Sequence, residues 1–178
     1  MAEKEALRKK KQEALVKLYE ERYSKVARYV FVRIGNQAEA EDLASETFVK
    51  ALKSLDSYQE RGLPMEAWVF RIAHNLVVDH LRKVSKRQVV ALDEMPIHDS
   101  DSIDLEEKAE LDIETGKLLK ALEHLSPAQR EVISLRFFSG LDSTECGKVL
   151  GKKPGAVREM QSAAIKSLRK VLDQERNS

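Results

Sequence analysis

The sequence predicts an all-α protein: two small helical domains joined by a flexible acidic linker. Three observations carry that prediction. Apolar residues recur at three-to-four spacing along the chain, and no stretch alternates convincingly with period two. Caps and glycines punctuate the periodic segments where helices begin and end. One stretch, Asp93 to Glu114, departs in charge, with ten acids against the single base Lys108.

The elements follow in order. Leu15, Leu18, Tyr19, Val26, Tyr29 and Val30 form one apolar stripe of a long first helix, stopped at Gly35. Asn36 caps a second helix, with Glu39 placed as its capping-box partner, and Leu43, Phe48, Ala51, Leu52 and Leu55 on its apolar side. A loop spans Asp56–Gly62, and Pro64 suits the first turn of a third helix. That helix carries Trp68, Ile72, Leu76 and Leu81 and runs to about Arg87. The pattern fades over Val90–Asp104, reads as a linker, and resumes near Leu105 through Leu118, Leu122 and Leu125. Ser126-Pro127-Ala128-Gln129 combines a cap, an early proline and a capping-box glutamine for a helix ending at Gly140. Asp142-Ser143-Thr144-Glu145 repeats the box for a short helix ending at Gly151. Pro154 opens the last helix, through Val157, Ile165, Leu168 and Leu172.

The 178 residues carry a formal net charge of +1, which by itself argues against a nucleic-acid partner. The total conceals its parts. Asp93–Glu114 holds −9, so the remaining 156 residues hold +10. A basic protein is interrupted by an acidic segment.

Several function classes drop out. One cysteine, Cys146, excludes an internal disulfide framework and reads as a small packed residue rather than a redox sensor. The histidines at 74, 80, 98 and 124 lack metal-site spacing, and no glycine-rich phosphate loop or nucleophile motif is present. The expectation is therefore no enzyme, no cofactor and no metal. No apolar run approaches the roughly 18 residues that span a bilayer. The first residues lack the apolar core of a signal peptide, so the expected location is cytoplasmic. The chain stops soon after Leu172, and no appended control domain is expected. The basic run Arg8–Lys11 has no evident use.

Two segments carry chemistry. Asp142–Lys166 has helix-turn-helix spacing, in which the second helix can enter a major groove. From 152 to 170 the bases Lys152, Lys153, Arg158, Lys166, Arg169 and Lys170 face Glu159 alone, a net +5 that phosphates attract. The third helix is the other candidate. Between 71 and 88, Arg71, Arg82, Lys83, Lys86 and Arg87 against Asp79 give +4, interleaved with His74, Asn75 and His80, which can hydrogen-bond base edges. Tyr58, Trp68 and Phe70 lie nearby, and aromatic rings beside a basic groove suit single-stranded bases, although Trp68 taken singly reads as core. On the second helix, Asp42, Glu46 and Lys50 form a ladder that either supports the helix or docks a protein.

These residues resemble a known family. Tyr29-Val30-Phe31-Val32-Arg33-Ile34-Gly35-Asn36, Ala40-Glu41-Asp42-Leu43-Ala44-Ser45-Glu46-Thr47-Phe48 and Ala67-Trp68-Val69-Phe70-Arg71-Ile72-Ala73-His74-Asn75-Leu76 are similar to the first conserved domain of extracytoplasmic-function sigma factors of bacterial RNA polymerase. Leu125-Ser126-Pro127-Ala128-Gln129-Arg130-Glu131-Val132-Ile133 and Gly155-Ala156-Val157-Arg158 are similar to the second. The resemblance implies a region 2 domain over 1–90, an acidic linker over 91–114 and a region 4 helix-turn-helix domain over 115–178. It implies a subunit that binds core RNA polymerase and selects promoter DNA through elements about ten and thirty-five bases upstream of the start. An anti-sigma factor is the implied regulator, the free chain is expected to be a monomer, and no membrane insertion is expected.

Residue by residue, Asp42, Leu43, Ser45 and Glu46 match the helix that docks on the polymerase clamp. Asn75 and Asp79 match positions that read the melted upstream-ten strand, with Tyr58, Arg71, His74, Arg82 and Lys83 completing that set. The loop Tyr58–Met65 matches the segment that shapes a pocket for a flipped-out base. Arg158, Glu159 and Ser162, with Lys152, Lys153 and Lys166, match the reader of the upstream-thirty-five duplex. Two departures stand out: Ala163 occupies a position where arginine is common, and Lys153 occupies the cap position, where Ser or Thr caps better. The acidic linker resembles a connector through the polymerase's RNA channels; it also reads as a solvated tether keeping two basic lobes apart. The alternative function is a stand-alone helix-turn-helix transcriptional regulator, and a third is a helical adaptor without DNA contact.

Overall fold

A computed structural model describes residues 1–94 and 113–178, with side chains described except at 91–94 and 114. Seven helices make up these residues: α1 (Ala2–Ile34), α2 (Gln37–Lys53), α3 (Met65–Glu94), α4 (Ile113–Glu123), α5 (Pro127–Ser134), α6 (Ser143–Leu150) and α7 (Pro154–Arg176). A 3₁₀ turn, Leu55–Ser57, follows α2. Among the described residues there is no strand. Most of the acidic segment, including the helical pattern expected to resume near Leu105, lies outside the described residues.

Local sequence explains most boundaries. α1 ends where Gly35 turns left-handed at φ 75°, its N–H bonding the Phe31 carbonyl. The Asn36 side chain accepts from the Glu39 N–H at 2.9 Å. The reciprocal half of that expected capping box is not made, because the Glu39 carboxylate lies 3.4 Å from His80 Nε2 on α3 instead. Pro64 stands one residue earlier than expected, as the carbonyl that accepts the Trp68 N–H just ahead of α3. α3 also runs further, to Glu94 rather than about Arg87. The boxes at Ser126/Gln129 and Asp142/Glu145 both close reciprocally. Lys153 caps α7 without a side-chain bond, as its lack of a hydroxyl dictates.

The helix expected over 127–140 divides. α5 stops at Ser134 and the chain widens into a π-helical segment, Leu135–Ser139, before Gly140 turns it at φ 75°. Such a bulge inserts a residue and re-aims the chain beyond it. Beyond it the Leu141 carbonyl accepts from Arg136, whose Nε also donates to Gln161 on α7 at 2.8 Å.

The two lobes, α1–α3 and α4–α7, are packed against one another. Tyr29, Phe70 and Val77 of the first lobe share one apolar cluster with Leu135, Cys146 and Val149 of the second. A smaller cluster adds α1 residue Val32 to Leu122, Leu125, Ile133 and Ala164. The tether reading, in which the lobes are held apart, is corrected by this shared core. Each lobe presents apolar side chains that its own helices leave uncovered, and burying them together removes that surface from water.

Candidate nucleic-acid interface

Two exposed helical faces emerge, one on each lobe. On α3, Arg71, Asn75, Asp79, Arg82 and Lys83 line one side of the helix, all five exposed. Their spacing, with steps of four and then three or four, places them on one stripe, since such residues neighbour one another on a helix. Arg82 and Asp79 pair at 3.6 Å along it. Opposite them, Lys50, Lys53 and Ser54 at the end of α2 join Ile72, Asn75 and Asp79 in lining a groove.

Three residues of the expected set sit differently. His74 faces inward, its Nδ1 3.4 Å from the Tyr29 hydroxyl, and burial lowers its pKa below the ordinary histidine value. The Glu131 carboxylate, from the second lobe, pulls that pKa back up and Arg33 pushes it down. Burial likewise raises the Tyr29 phenol. Tyr58 is only 5% exposed, so its ring is not presented for base stacking. It stacks against Trp68 with ring centroids 4.8 Å apart, and its hydroxyl donates to the Leu63 carbonyl at 3.1 Å, bracing the loop from beneath. Leu43 is half-buried against the core, whereas Asp42, Ser45 and Glu46 stand on the outer side of α2. Ser45 lies 3.3 Å from the Tyr23 hydroxyl, and Glu46 pairs with Lys50 at 3.6 Å.

On the second lobe, Lys152, Lys153, Arg158 and Glu159 are exposed, and Ser162 and Lys166 continue the same side of α7. Arg158, Ser162 and Lys166 fall at successive i+4 positions on α7, with the small Ala163 beside them. The helix is held from behind by Val157 and Ala164, both fully buried. Lys152 bonds its N–H to the Gly147 carbonyl at 2.8 Å. A Cβ at Gly147 would collide with the Lys152 carbonyl oxygen, so glycine sets how closely α6 and the turn approach. Nothing in the sequence singles out Gly147, which sits mid-helix without a turn signal. Cys146 beside it is fully buried and burial pushes its thiol up to about 12, so the thiolate form is suppressed.

A buried polar contact joins the lobes. Arg33 of α1 is 8% exposed, and its Nη2 lies 3.8 Å from Glu131 of α5. Its Nε and Nη1 have no hydrogen-bond partner among the described residues. From α6, Lys148 donates to the Gly62 carbonyl in the loop before α3.

No group of three or more histidine, cysteine or acidic side chains suited to a metal occurs among the described residues, and none of their helices is long and apolar enough to cross a membrane. Comparison with known proteins places the rest. Residues 18–87 match the Sigma-70 region 2 family and residues 115–168 match Sigma-70, region 4. The chain is 35% identical to the ECF RNA polymerase sigma factor BldN of Streptomyces coelicolor over 90% of this chain, but spans only 61% of that relative's length. It is 40% identical to the ECF RNA polymerase sigma factor ShbA of Streptomyces griseus, covering 75% of this chain and 72% of that one. It is 30% identical to the ECF RNA polymerase sigma factor SigL of Mycobacterium tuberculosis, covering 88% of both. Among solved structures, the sigma factor RpoE in complex with the anti-sigma factor NepR, from Bartonella quintana, superposes with a TM-score of 0.69 at 26% identity, covering 88% of this chain and 95% of that one. CnrH, in complex with the cytosolic domain of CnrY, shares the fold at a TM-score of 0.68 and 24% identity, over 92% of this chain and 90% of that one. Two matched domains in order, and relatives matched over most of their length, give one conclusion: the chain belongs to the extracytoplasmic-function sigma factors of RNA polymerase.

Proposed function

We propose that this chain is a non-catalytic specificity subunit that joins bacterial core RNA polymerase in the cytoplasm and directs it to promoters. The observation that carries the reading is the pair of basic faces on two separate lobes, each within a matched sigma domain. Region 2, over 1–90, docks on the polymerase through Asp42, Ser45 and Glu46, with Leu43 contributing its exposed edge. Arg71, Asn75, Asp79, Arg82 and Lys83 engage the melted upstream-ten strand, the groove below Asn75 taking polar base edges and the bases of α3 taking phosphates. Tyr58 and His74 act indirectly, Tyr58 by bracing the loop and His74 by packing beneath the helix. Region 4, over 115–178, sets α7 in the major groove of the upstream-thirty-five duplex, with Arg158, Glu159 and Ser162 toward bases and Lys152, Lys153 and Lys166 toward phosphates.

The closed arrangement has a geometric consequence. Two elements about 25 base pairs apart are separated by about 85 Å of duplex at ~3.4 Å per step. Lobes whose side chains interdigitate in one core cannot reach both at once. Reading a whole promoter therefore requires the lobes to part, breaking the Arg33–Glu131 contact and exposing Tyr29, Leu135 and Val149. The apolar cost of that opening is offset by polymerase and DNA contacts on both lobes, and two modest sites on one chain then act together. An anti-sigma factor, as bound to RpoE in its solved complex, is the fitting regulator: a partner that holds the lobes closed leaves each face exposed but keeps the two from reaching both elements at once. The free chain is a monomer in this reading. A free-standing helix-turn-helix regulator would leave the α2 face and the α3 stripe without a use.

The test is transcription in vitro with purified core enzyme and this chain on a promoter library. The expected result is core binding and initiation from a subset of templates sharing two elements. A chain that neither binds core nor directs initiation overturns the proposal.

A further inference from the structure

The basic run Arg8–Lys11, for which the sequence offers no use, meets the loop ahead of α3. Residues 1–10 are all exposed, and Lys11 is the first to lose solvent. It does so by donating its ammonium to the Tyr58 carbonyl at 2.6 Å. Its Nζ stands 6.0 Å from the Tyr58 ring centroid. One turn earlier, Arg8 Nε lies 3.4 Å from Asp56 in the 3₁₀ turn that leads into the same loop. Both residues precede 18–87, the span that matches region 2.

The loop has few other anchors. Gly62 turns it at φ 89°, the Tyr58 hydroxyl holds the Leu63 carbonyl, and Lys148 of the second lobe holds the Gly62 carbonyl. When the lobes part, Lys148 leaves with the second lobe. What remains in the first lobe is the Tyr58 side chain, packed on Trp68 and holding Leu63, and the Lys11 bond that holds the Tyr58 backbone, with the exposed Arg8–Asp56 pair as a weaker support beside it. A lysine head is suited to this, because its three donors satisfy a carbonyl that a short turn leaves open. Packing alone would be served by an apolar residue at 11; the polar bond instead fixes where the Tyr58 backbone, and with it the loop's inner edge, stands.

We propose that Lys11, seconded by Arg8, is a positioning residue for the 58–64 loop and thereby sets how selectively that loop accepts the flipped-out base of the upstream-ten strand. The proposal rests on reading this loop as a base pocket. The experiment uses the full chain with core polymerase on duplex templates randomised across the upstream-ten element, sequencing the templates that yield transcripts. Lys11→Met is expected to flatten base preference at one position by about five-fold, the low end of what a mismatched base pair normally costs. Lys11→Arg, which keeps a charged donor, should stay within about two-fold of the parent, and Arg8→Gln should fall between them. Core affinity and upstream-thirty-five preference should not move in any variant. If the parent chain itself selects no base in the element, the pocket reading and this inference both fall. If the parent selects and Lys11→Met selects equally well, only the role of Lys11 is overturned. Equal loss in Lys11→Met and Lys11→Arg would assign the effect to the stem's packing and overturn the donor role.

Discussion

The basic helices α3 and α7 have similar charge and opposite surroundings. α3 is exposed but faces a second wall: Asp79 pairs with Arg82, Lys50 and Lys53 face Asn75 across a groove, and His74 turns inward to Tyr29. α7 is open. Among the described residues none of Lys152, Lys153, Arg158 or Lys166 forms an ion pair; the first two stand in the turn before α7, and the others project from a helix held from behind. A duplex presents a regular phosphate surface that an open basic helix meets as a rigid body. A melted strand has to be held base by base, which calls for a walled groove with polar groups at its floor. The difference between the two faces is the difference between their targets.

The largest effect is expected on α7. The double substitution Arg158→Glu, Lys166→Glu reverses two charges on the open face. It should cut affinity for upstream-thirty-five duplex by about 100-fold at moderate salt and reduce the salt slope, while leaving initiation on templates that need only the upstream-ten element nearly intact. Gel shift and run-off assays at several salt concentrations read both. Gly147→Ala attacks the same lobe through its scaffold. Crowding the Lys152 carbonyl should destabilise the second lobe by about 1–3 kcal/mol, lowering the thermal midpoint by about 2–4 °C for each kcal/mol. Unchanged melting of that variant would show that the α6–turn approach relaxes freely.

On the grooved face of α3 the effects should be smaller and more specific. Asn75→Ala should lower initiation about ten-fold on a preferred template, and much less on a template already mismatched at the base it reads. An equal loss on both templates would contradict base reading by Asn75. The smallest effect is a pH dependence. His74 is held neutral in the closed form, with Tyr29, Arg33 and Glu131 the ionisable groups around it, and its folded pKa lies below the unfolded value near 6.5. The unfolded state therefore takes up the proton first, and stability should be flat above about pH 7.5 and fall as pH drops below about 6.5. His74→Gln should flatten that fall in a thermal-melt series; an identical slope would remove His74 as its source.

The helices are legible in the sequence because periodicity and caps are local. Ser126/Gln129 and Asp142/Glu145 close as written, and Gly35, Gly140 and Gly151 all turn left-handed where the helices stop. The outward members of both faces are legible for the same reason, since charge at helical spacing fixes a stripe. The features that escape depend on partners distant in sequence. Glu39 leaves its own cap for His80, Tyr58 goes under its loop instead of over it, and His74 is claimed by Tyr29. The π-helical segment shows no break in apolar spacing. Above all, the shared core is hidden because a second-lobe apolar residue such as Val149 reads equally well as packing within its own lobe.

With that core shared, the lobes must open for two-element promoter reading, and an interlobe distance reports the opening. Fluorophores at Glu20→Cys on α1 and Asp173→Cys on α7, both exposed, would report it, the buried Cys146 being the only native cysteine. The free chain should show efficient energy transfer, and transfer should collapse when core polymerase and a two-element promoter are added, as the lobes move toward the roughly 85 Å spacing of the elements. Efficient transfer that persists in a complex actively initiating transcription would contradict the account.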